Sequence, residues 1–268
     1  MSKIFDCITF FDNNFMFEIR YNILLKYVHK FIVCESAYDH SGKKKKKNFI
    51  WKSYYKKDKI KHLFMKDAFP KKNSRWENQA LQREYLLDNL NFVSPEDYIF
   101  FSDPDEIMKP EKLKRFQLRK KYGIFFQDCF NYKFNLYNPH ESPWEGSRVA
   151  KKKDLKSIDF MRQKVKSKNL KYPFFRFDKE KSIQLFNNGG WHFNNILTGE
   201  EISRKLKTFA HTEFSPDKFS DSKIISEKIN KKIDLFDRGH KYIVRDLDST
   251  FPDYLIKNIN NYKNWVLE

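Results

Sequence analysis

Asp103 and Asp105 stand two residues apart, with Pro104 between them, one residue beyond the apolar run Tyr98-Ile99-Phe100-Phe101. On an extended backbone residues i and i+2 point the same way, so the two carboxylates can share one side of the chain. Their place at the exit of a buried strand is where open α/β sheets bind ligands. Adjacent carboxylates repel unless a cation neutralises them. A hard divalent ion, Mn2+ or Mg2+, suits their oxygen donors and could hold a diphosphate in turn. The alternative is a plain turn, for which Asp-Pro-Asp is good chemistry.

The elements that must position this motif alternate between two periodicities. Lys3 to Phe11, Lys30 to Cys34, Ile60 to Met65 and Asp97 to Ser102 read as buried strands. Phe15 to Tyr27 carries apolar residues at helical spacing, and Ser74 with Glu77 forms a capping box ahead of Leu81, Tyr85 and Leu86. Pro110 and Gly123 suit the start and end of a further helix. Strands alternating with helices imply βαβ units and a mainly parallel central sheet flanked by helices. In the second half, Ile124 to Tyr137 reads as one or two strands and Gly190 to Ile196 as another. Thr198 and Glu201 cap a helix to about residue 209, and Ser222 to Phe236 and Asp253 to Trp265 read as closing helices. No repeat or Pro/Gly/Ser-rich linker divides the chain, so one α/β domain is expected, about 1–123 as its first half and 124–268 as its second.

Composition narrows the classes further. Among 268 residues, 28 Phe and 14 Tyr carry too much apolar area for a disordered chain, while 7 Gly disfavour a glycine-rich phosphate loop. No apolar run approaches the ~20 residues of a membrane span. The start, Met1-Ser2-Lys3-Ile4-Phe5-Asp6, has no signal-peptide pattern. A cytoplasmic protein is expected, at most peripheral to the inner membrane face. Cys7, Cys34 and Cys129 lie in apolar runs and read as buried free thiols of a reducing compartment. The formal charge of +18 is compatible with an anionic partner, and the run Lys43 to Lys47 reads as a solvated loop.

Several stretches, in order, resemble glycosyltransferase family 17. They are Phe17-Glu18-Ile19-Arg20, Phe31-Ile32-Val33-Cys34-Glu35-Ser36 followed by His40-Ser41-Gly42, Arg75-Trp76-Glu77-Asn78 with Gln82-Arg83, Ser102-Asp103-Pro104-Asp105-Glu106-Ile107, and Gly190-Trp191-His192-Phe193. Tyr254-Leu255-Ile256-Lys257-Asn258 extends the resemblance towards the end of the chain. It implies a GT-A-like fold: a nucleotide-binding α/β half bearing an Asp-x-Asp motif, then an acceptor region. The implied reaction is inverting transfer of a sugar, N-acetylglucosamine from UDP-N-acetylglucosamine, to a hydroxyl of a glycan or glycolipid, with Mn2+ or Mg2+ held by Asp103 and Asp105.

Under that resemblance His192 is a third metal candidate, with His211 competing; a hydrogen-bonded core histidine is the alternative. Glu18, Arg20, Glu35, Arg75, Asn78 and Arg83 are candidates to bind the nucleotide sugar, although Glu18 and Arg20 could instead pin the first helix to the sheet. Glu145, in Pro143-Trp144-Glu145-Gly146, is the first choice of base and Glu106 the second. Trp144 and Trp191 could stack on an acceptor sugar or pack in the core. Contact with an anionic membrane is compatible with the charge. The class weighed against a transferase is a basic nucleic-acid-binding protein without catalysis; the absence of any helix-turn-helix, zinc-finger or RNP pattern argues against it, so no nucleic-acid partner is expected. A transferase using another nucleotide sugar is the nearer alternative.

Overall fold

The computed structural model describes residues 2–208 and 217–268. It divides into two compact units, one of residues 1–127 and 145–190 and the other of residues 128–144 and 191–268. Residues 145–190, expected with the second half, therefore fold with the first.

In the first unit, strands β1 (Ile4–Phe10), β2 (Lys30–Ser36), β3 (Ile60–Met65) and β4 (Tyr98–Ser102) form the parallel part of the sheet in the order β3-β2-β1-β4. Beyond β4 the sheet changes direction: β8 (Trp144–Lys151) runs antiparallel to it and is followed by β6 (Tyr122–Asn131). The sheet is thus mixed, with parallel pairing confined to the side nearest the N-terminus. Two strands lie off this path, β5 (Glu106–Met108) paired with β9 (Ile183–Asn194).

Alternation along the strands decides what each face covers. Phe5 and Cys7, Ile32 and Cys34, Leu63, and Ile99 and Phe101 share one core with Leu86 and Leu87 of α2 (Arg75–Asp88). The intervening residues meet α1 (Asn14–Leu24), where Phe17 packs against Phe31, Phe49 and Tyr55 with ring centroids 6.0, 5.2 and 5.7 Å apart. The expected box at Ser74 is formed: the Ser74 N–H donates to Glu77 Oε2 at 2.6 Å and the Glu77 N–H to Ser74 Oγ at 3.3 Å. All three cysteines are buried and free. Burial pushes the Cys34 thiol up to about 12 and also raises that of Cys7, so neither is a ready thiolate.

The helix expected from Pro110 to Gly123 is only α3 (Pro110–Leu113). Gly123 lies inside β6, because a Cβ there would sit 2.6 Å from Val149 Cγ1; the glycine serves close strand packing, not a helix end. A short helix, α4 (Ile158–Gln163), starts at the cap Ser157.

The second unit holds β7 (Leu136–Tyr137), paired antiparallel with β10 (Ile243–Val244) and with the end of β6 at Phe130. Its helices are α5 (Gly199–Thr208), α6 (Asp217–Ser220), α7 (Ser222–Asn230) and α8 (Asp253–Lys257). Ile202, Ile225, Ile229, Leu235 and Tyr242 form its core with Tyr132 and Leu136. Among the described residues no helix is long and apolar enough to cross a membrane.

Candidate active site

The order β3-β2-β1-β4 reverses between β1 and β4, and in open α/β sheets the crevice outside the strand C-termini at such a point is the ligand site. Asp103 emerges there, one residue beyond β4. The motif is not an extended segment. The Glu106 N–H donates to the Asp103 carbonyl at 3.0 Å, closing a turn with Pro104 and Asp105 as its central residues. Proline's fixed φ suits the second position of that turn, so the turn and the acidic motif are one object. The Asp103 N–H donates back to Glu106 Oε2 at 3.1 Å, bracing the turn from both ends.

Beneath the turn lies a network of buried arginines. Arg162, on α4, donates to Asp103 Oδ2 at 2.5 Å, to Glu106 Oε1 and Oε2 at 2.6 and 3.0 Å, and to the Gly146 carbonyl at 2.9 Å. Burial alone would make the guanidinium a weaker base, but the Asp103 and Glu106 carboxylates outweigh it and hold Arg162 protonated well above its ordinary range. Arg20, on α1, donates through Nε to Asp6 Oδ2 at 2.6 Å and through Nη1 to the Glu106 carbonyl at 2.6 Å. Arg148, on β8, donates to Val165, Glu145 and Gly146 carbonyls and to Glu145 Oε2 at 3.0 Å. Burial and the nearby Arg162 charge lower its guanidinium to about 10, against the pull of Glu106 and Glu145.

This geometry redistributes the expected roles. Glu106 is wholly buried and occupied by Arg162, so it cannot reach an acceptor hydroxyl; it is a positioning residue for the turn. Glu145 is half-buried, oriented by Arg148 and by the Ser167 N–H and hydroxyl on Oε1. Arg20 is equally buried and pins α1 to β1 through Asp6, which replaces the expected nucleotide contact. Glu18 lies apart from this network, 3.8 Å from Lys52 Nζ.

Glu35 is buried at the end of β2, where it accepts from Lys45 Nζ at 2.7 Å, from the backbone N–H groups of Asn48 and Phe49 at 2.5 and 3.2 Å, and meets His62 Nε2 at 3.1 Å. It clamps the segment that follows β2 and has no lone-pair direction left towards a ribose. Lys45 is thereby withdrawn from the lysine run, which is not uniformly solvated.

On α2, Asn78 donates to the His40 carbonyl at 2.9 Å and Gln82 Oε1 lies 2.8 Å from His40 Nε2. Arg83 pairs with Asp159 at 2.7 Å. Arg75 is half-buried on the first turn of the same helix. Burial first, and then the Arg83 charge, lowers the His40 pKa, so the imidazole is held neutral as a hydrogen-bonding group. Two participants had no assigned role in the sequence reading. His40 belongs to the quoted His40-Ser41-Gly42 stretch; Arg162 has no signal of its own, because only the packing of α4 brings it to Asp103.

In the second unit, Trp191 is 4% exposed, stacks at 6.4 Å on Phe193 and donates Nε1–H to the Thr250 carbonyl at 3.0 Å. It is a core residue, and the sugar-stacking expectation for it is withdrawn. His192 packs against the half-buried Trp144 at 4.8 Å, with Nδ1 3.7 Å from Cys129 Sγ. His211 lies outside the described residues. Among the described residues no three His, Cys, Asp or Glu side chains form a group that could hold a metal ion. A cation would rest on Asp103 and Asp105 of the first unit, and the donor set fits a hard ion that draws its remaining ligands from diphosphate and water.

The fold is of the expected α/β class: a central sheet with a parallel half, flanked by helices, and an acidic turn at its switch point. The chain belongs to glycosyltransferase family 17, whose family model matches residues 1–266, and it is a glycosyltransferase. No curated protein matches it in sequence. Among solved structures it is similar to HddC from Yersinia pseudotuberculosis complexed with GMP-PN, at 8% identity over 69% of this chain and 90% of that one, with a TM-score of 0.36. It is also similar to a glycosyltransferase involved in the glycosylation of the major capsid of PBCV-1 (10%, 69% and 82%, TM-score 0.34). A third is the inositol-1-phosphate CTP transferase from T. maritima (13%, 69% and 85%, TM-score 0.35). At these scores the likenesses carry no argument about chemistry.

Proposed function

We propose that this glycosyltransferase moves N-acetylglucosamine from UDP-N-acetylglucosamine, with inversion, to a hydroxyl of a glycan or glycolipid. The observation supporting it is the braced turn at the β1/β4 switch point, which brings Asp103 and Asp105 to the place where such sheets receive a nucleotide. Asp103 and Asp105 would hold Mn2+ or Mg2+, which when bound neutralises the diphosphate and stabilises charge developing on the departing nucleoside diphosphate.

The chain's own residues do the rest. Arg162 fixes one Asp103 oxygen and, through Glu106, the height of the turn, so the carboxylate is oriented before any ligand arrives. Asn78 and Gln82 of α2 hold the loop at His40, and Arg83 ties α2 to α4 through Asp159, so these groups position the α2 side of the site. Glu145, held by Arg148 and Ser167 but still reached by solvent, takes the proton of the acceptor hydroxyl. A single displacement with inversion requires no covalent intermediate on the enzyme.

The test is nucleoside diphosphate release from a panel of nucleotide sugars, with and without Mn2+ or Mg2+, by the unaltered protein and by Asp105→Ala. UDP-N-acetylglucosamine should be the donor turned over. Asp105→Ala should lose on the order of a hundredfold or more of that turnover, with an unchanged melting temperature. Equal release by both proteins overturns the role of the turn, and preference for a donor without uridine overturns the donor assignment.

A further inference from the structure

Residues 168–181 of the first unit take no part in the network above, yet they carry the most exposed aromatic side chains among the described residues. Phe174 is 87% exposed, Phe177 91% and Phe175 59%. They sit on an ordered spur. The Arg176 N–H donates to the Pro173 carbonyl at 3.1 Å, the Phe177 N–H to that of Phe175 at 3.0 Å and the Lys179 N–H to that of Arg176 at 3.1 Å. At its base the buried Asn169 side chain donates to the carbonyls of Lys164 and Glu180, at 2.8 and 3.2 Å, tying the two ends together. A folded chain does not hold three phenylalanines in water on a hydrogen-bonded turn without a use for them.

The surroundings say what that use is. Over residues 163–181 there are seven Lys and Arg against two acidic residues, and one of those acids, Asp178, is taken up by Arg176 at 2.7 Å and Lys179 at 2.9 Å. Directly beside the spur is an open hollow of about 480 Å3, lined by Lys164, Lys166, Lys168 and Lys179 with Tyr172 at its edge. Tyr172 links hollow and spur: Arg176 and Lys179 stand over its ring, 5.3 and 5.6 Å from the centroid. Burial, and then the charges of Arg148 and Arg162, lowers the Lys166 ammonium pKa.

We propose that this spur and hollow are a membrane-docking surface, in which Phe174, Phe175 and Phe177 enter the interface of a bilayer and the lysine-lined hollow takes the phosphate of an anionic phospholipid. An exposed aromatic tip beside a cluster of cations suits a deformable, negatively charged interface. A second copy of the chain would bring the same +18 charge against it. The surface is independent of the sugar-transfer assignment.

The test is vesicle flotation of the full chain without any sugar donor, so its outcome is separate from that of the donor panel. Phosphatidylcholine vesicles are compared with vesicles containing 30% phosphatidylglycerol, a composition on the order of natural anionic surfaces. The protein should float with the anionic vesicles and be released by 0.5 M salt, a concentration at which the screening length falls to about 4 Å. Phe174→Ser/Phe177→Ser should lose about tenfold or more of the partitioning. Lys164→Gln/Lys168→Gln should lose roughly 25-fold, at roughly fivefold per lysine, on anionic vesicles only. Both variants should melt as the unaltered protein does, since the altered side chains are on the surface. Equal flotation of the phenylalanine variant, or equal binding to neutral and anionic vesicles, overturns the proposal. So does a lipid-free dimer that the phenylalanine variant breaks, which would make the occupant a second copy.

Discussion

Replacing Glu35 by Gln isolates the charge of a clamp that the fold has buried. In the folded protein desolvation would raise the Glu35 carboxyl, but the bonds from His62, Lys45 and the Asn48 N–H outweigh it and bring its pKa from the ordinary 4.5 down to about 2. At ~1.4 kcal/mol per pKa unit, that difference corresponds to about 3 kcal/mol of stability at neutral pH. The sign follows from the direction of the shift. A carboxyl depressed by folding stabilises above its unfolded pKa, and that contribution disappears as pH falls from 4.5 towards 2. Glu35→Gln keeps the shape and removes the charge, so it should melt roughly 6–10 °C below the unaltered protein at pH 7. The gap should narrow as pH is lowered towards 3.5. Thermal unfolding by circular dichroism across that range is the assay. A gap that does not change with pH, or an unchanged melting temperature combined with a raised KM for the donor, would refute the clamp and return Glu35 to the nucleotide.

Two further substitutions probe the floor of the site. Arg162→Met leaves Asp103 and Glu106 without their shared cation, which should cost ~3–5 kcal/mol in urea unfolding and also depress donor turnover by releasing the turn. A variant as stable as the unaltered protein would show the network to be unimportant. Gly190→Ala places a Cβ 2.1 Å from the Ile107 carbonyl oxygen, so β5 and β9 must separate next to the acidic turn; a loss of about 1–3 kcal/mol in chemical denaturation is expected, against none if the pair can shift freely.

The elements around the site were legible because each leaves a local signature. The apolar runs of β1 to β4, the Ser74/Glu77 box and the Thr198/Glu201 pair need no knowledge of distant residues, and the last also forms, the Thr198 N–H donating to Glu201 Oε2 at 2.9 Å. The helix after Pro110 was misread because Gly123 answers to Val149 on another strand, a contact with no local trace. Several candidate side chains carry internal contacts that the sequence does not show, for the same reason. Glu35, Arg20 and Glu106 are charged residues at strand and helix ends, which is where both ligand contacts and internal clamps occur.

By itself, then, the order of residues determined the family, the alternation of strands and helices, and the position of an acidic pair at the exit of an inner strand. Only the packed chain decided that the pair sits on a turn and not on an extended segment, that Arg162 from a helix 59 residues away holds it, and that Glu35, Arg20 and Trp191 face inward. Periodicity and capping are properties of neighbours along the backbone. Ion pairing and burial depend on which distant side chains share a few cubic ångströms of space with little water.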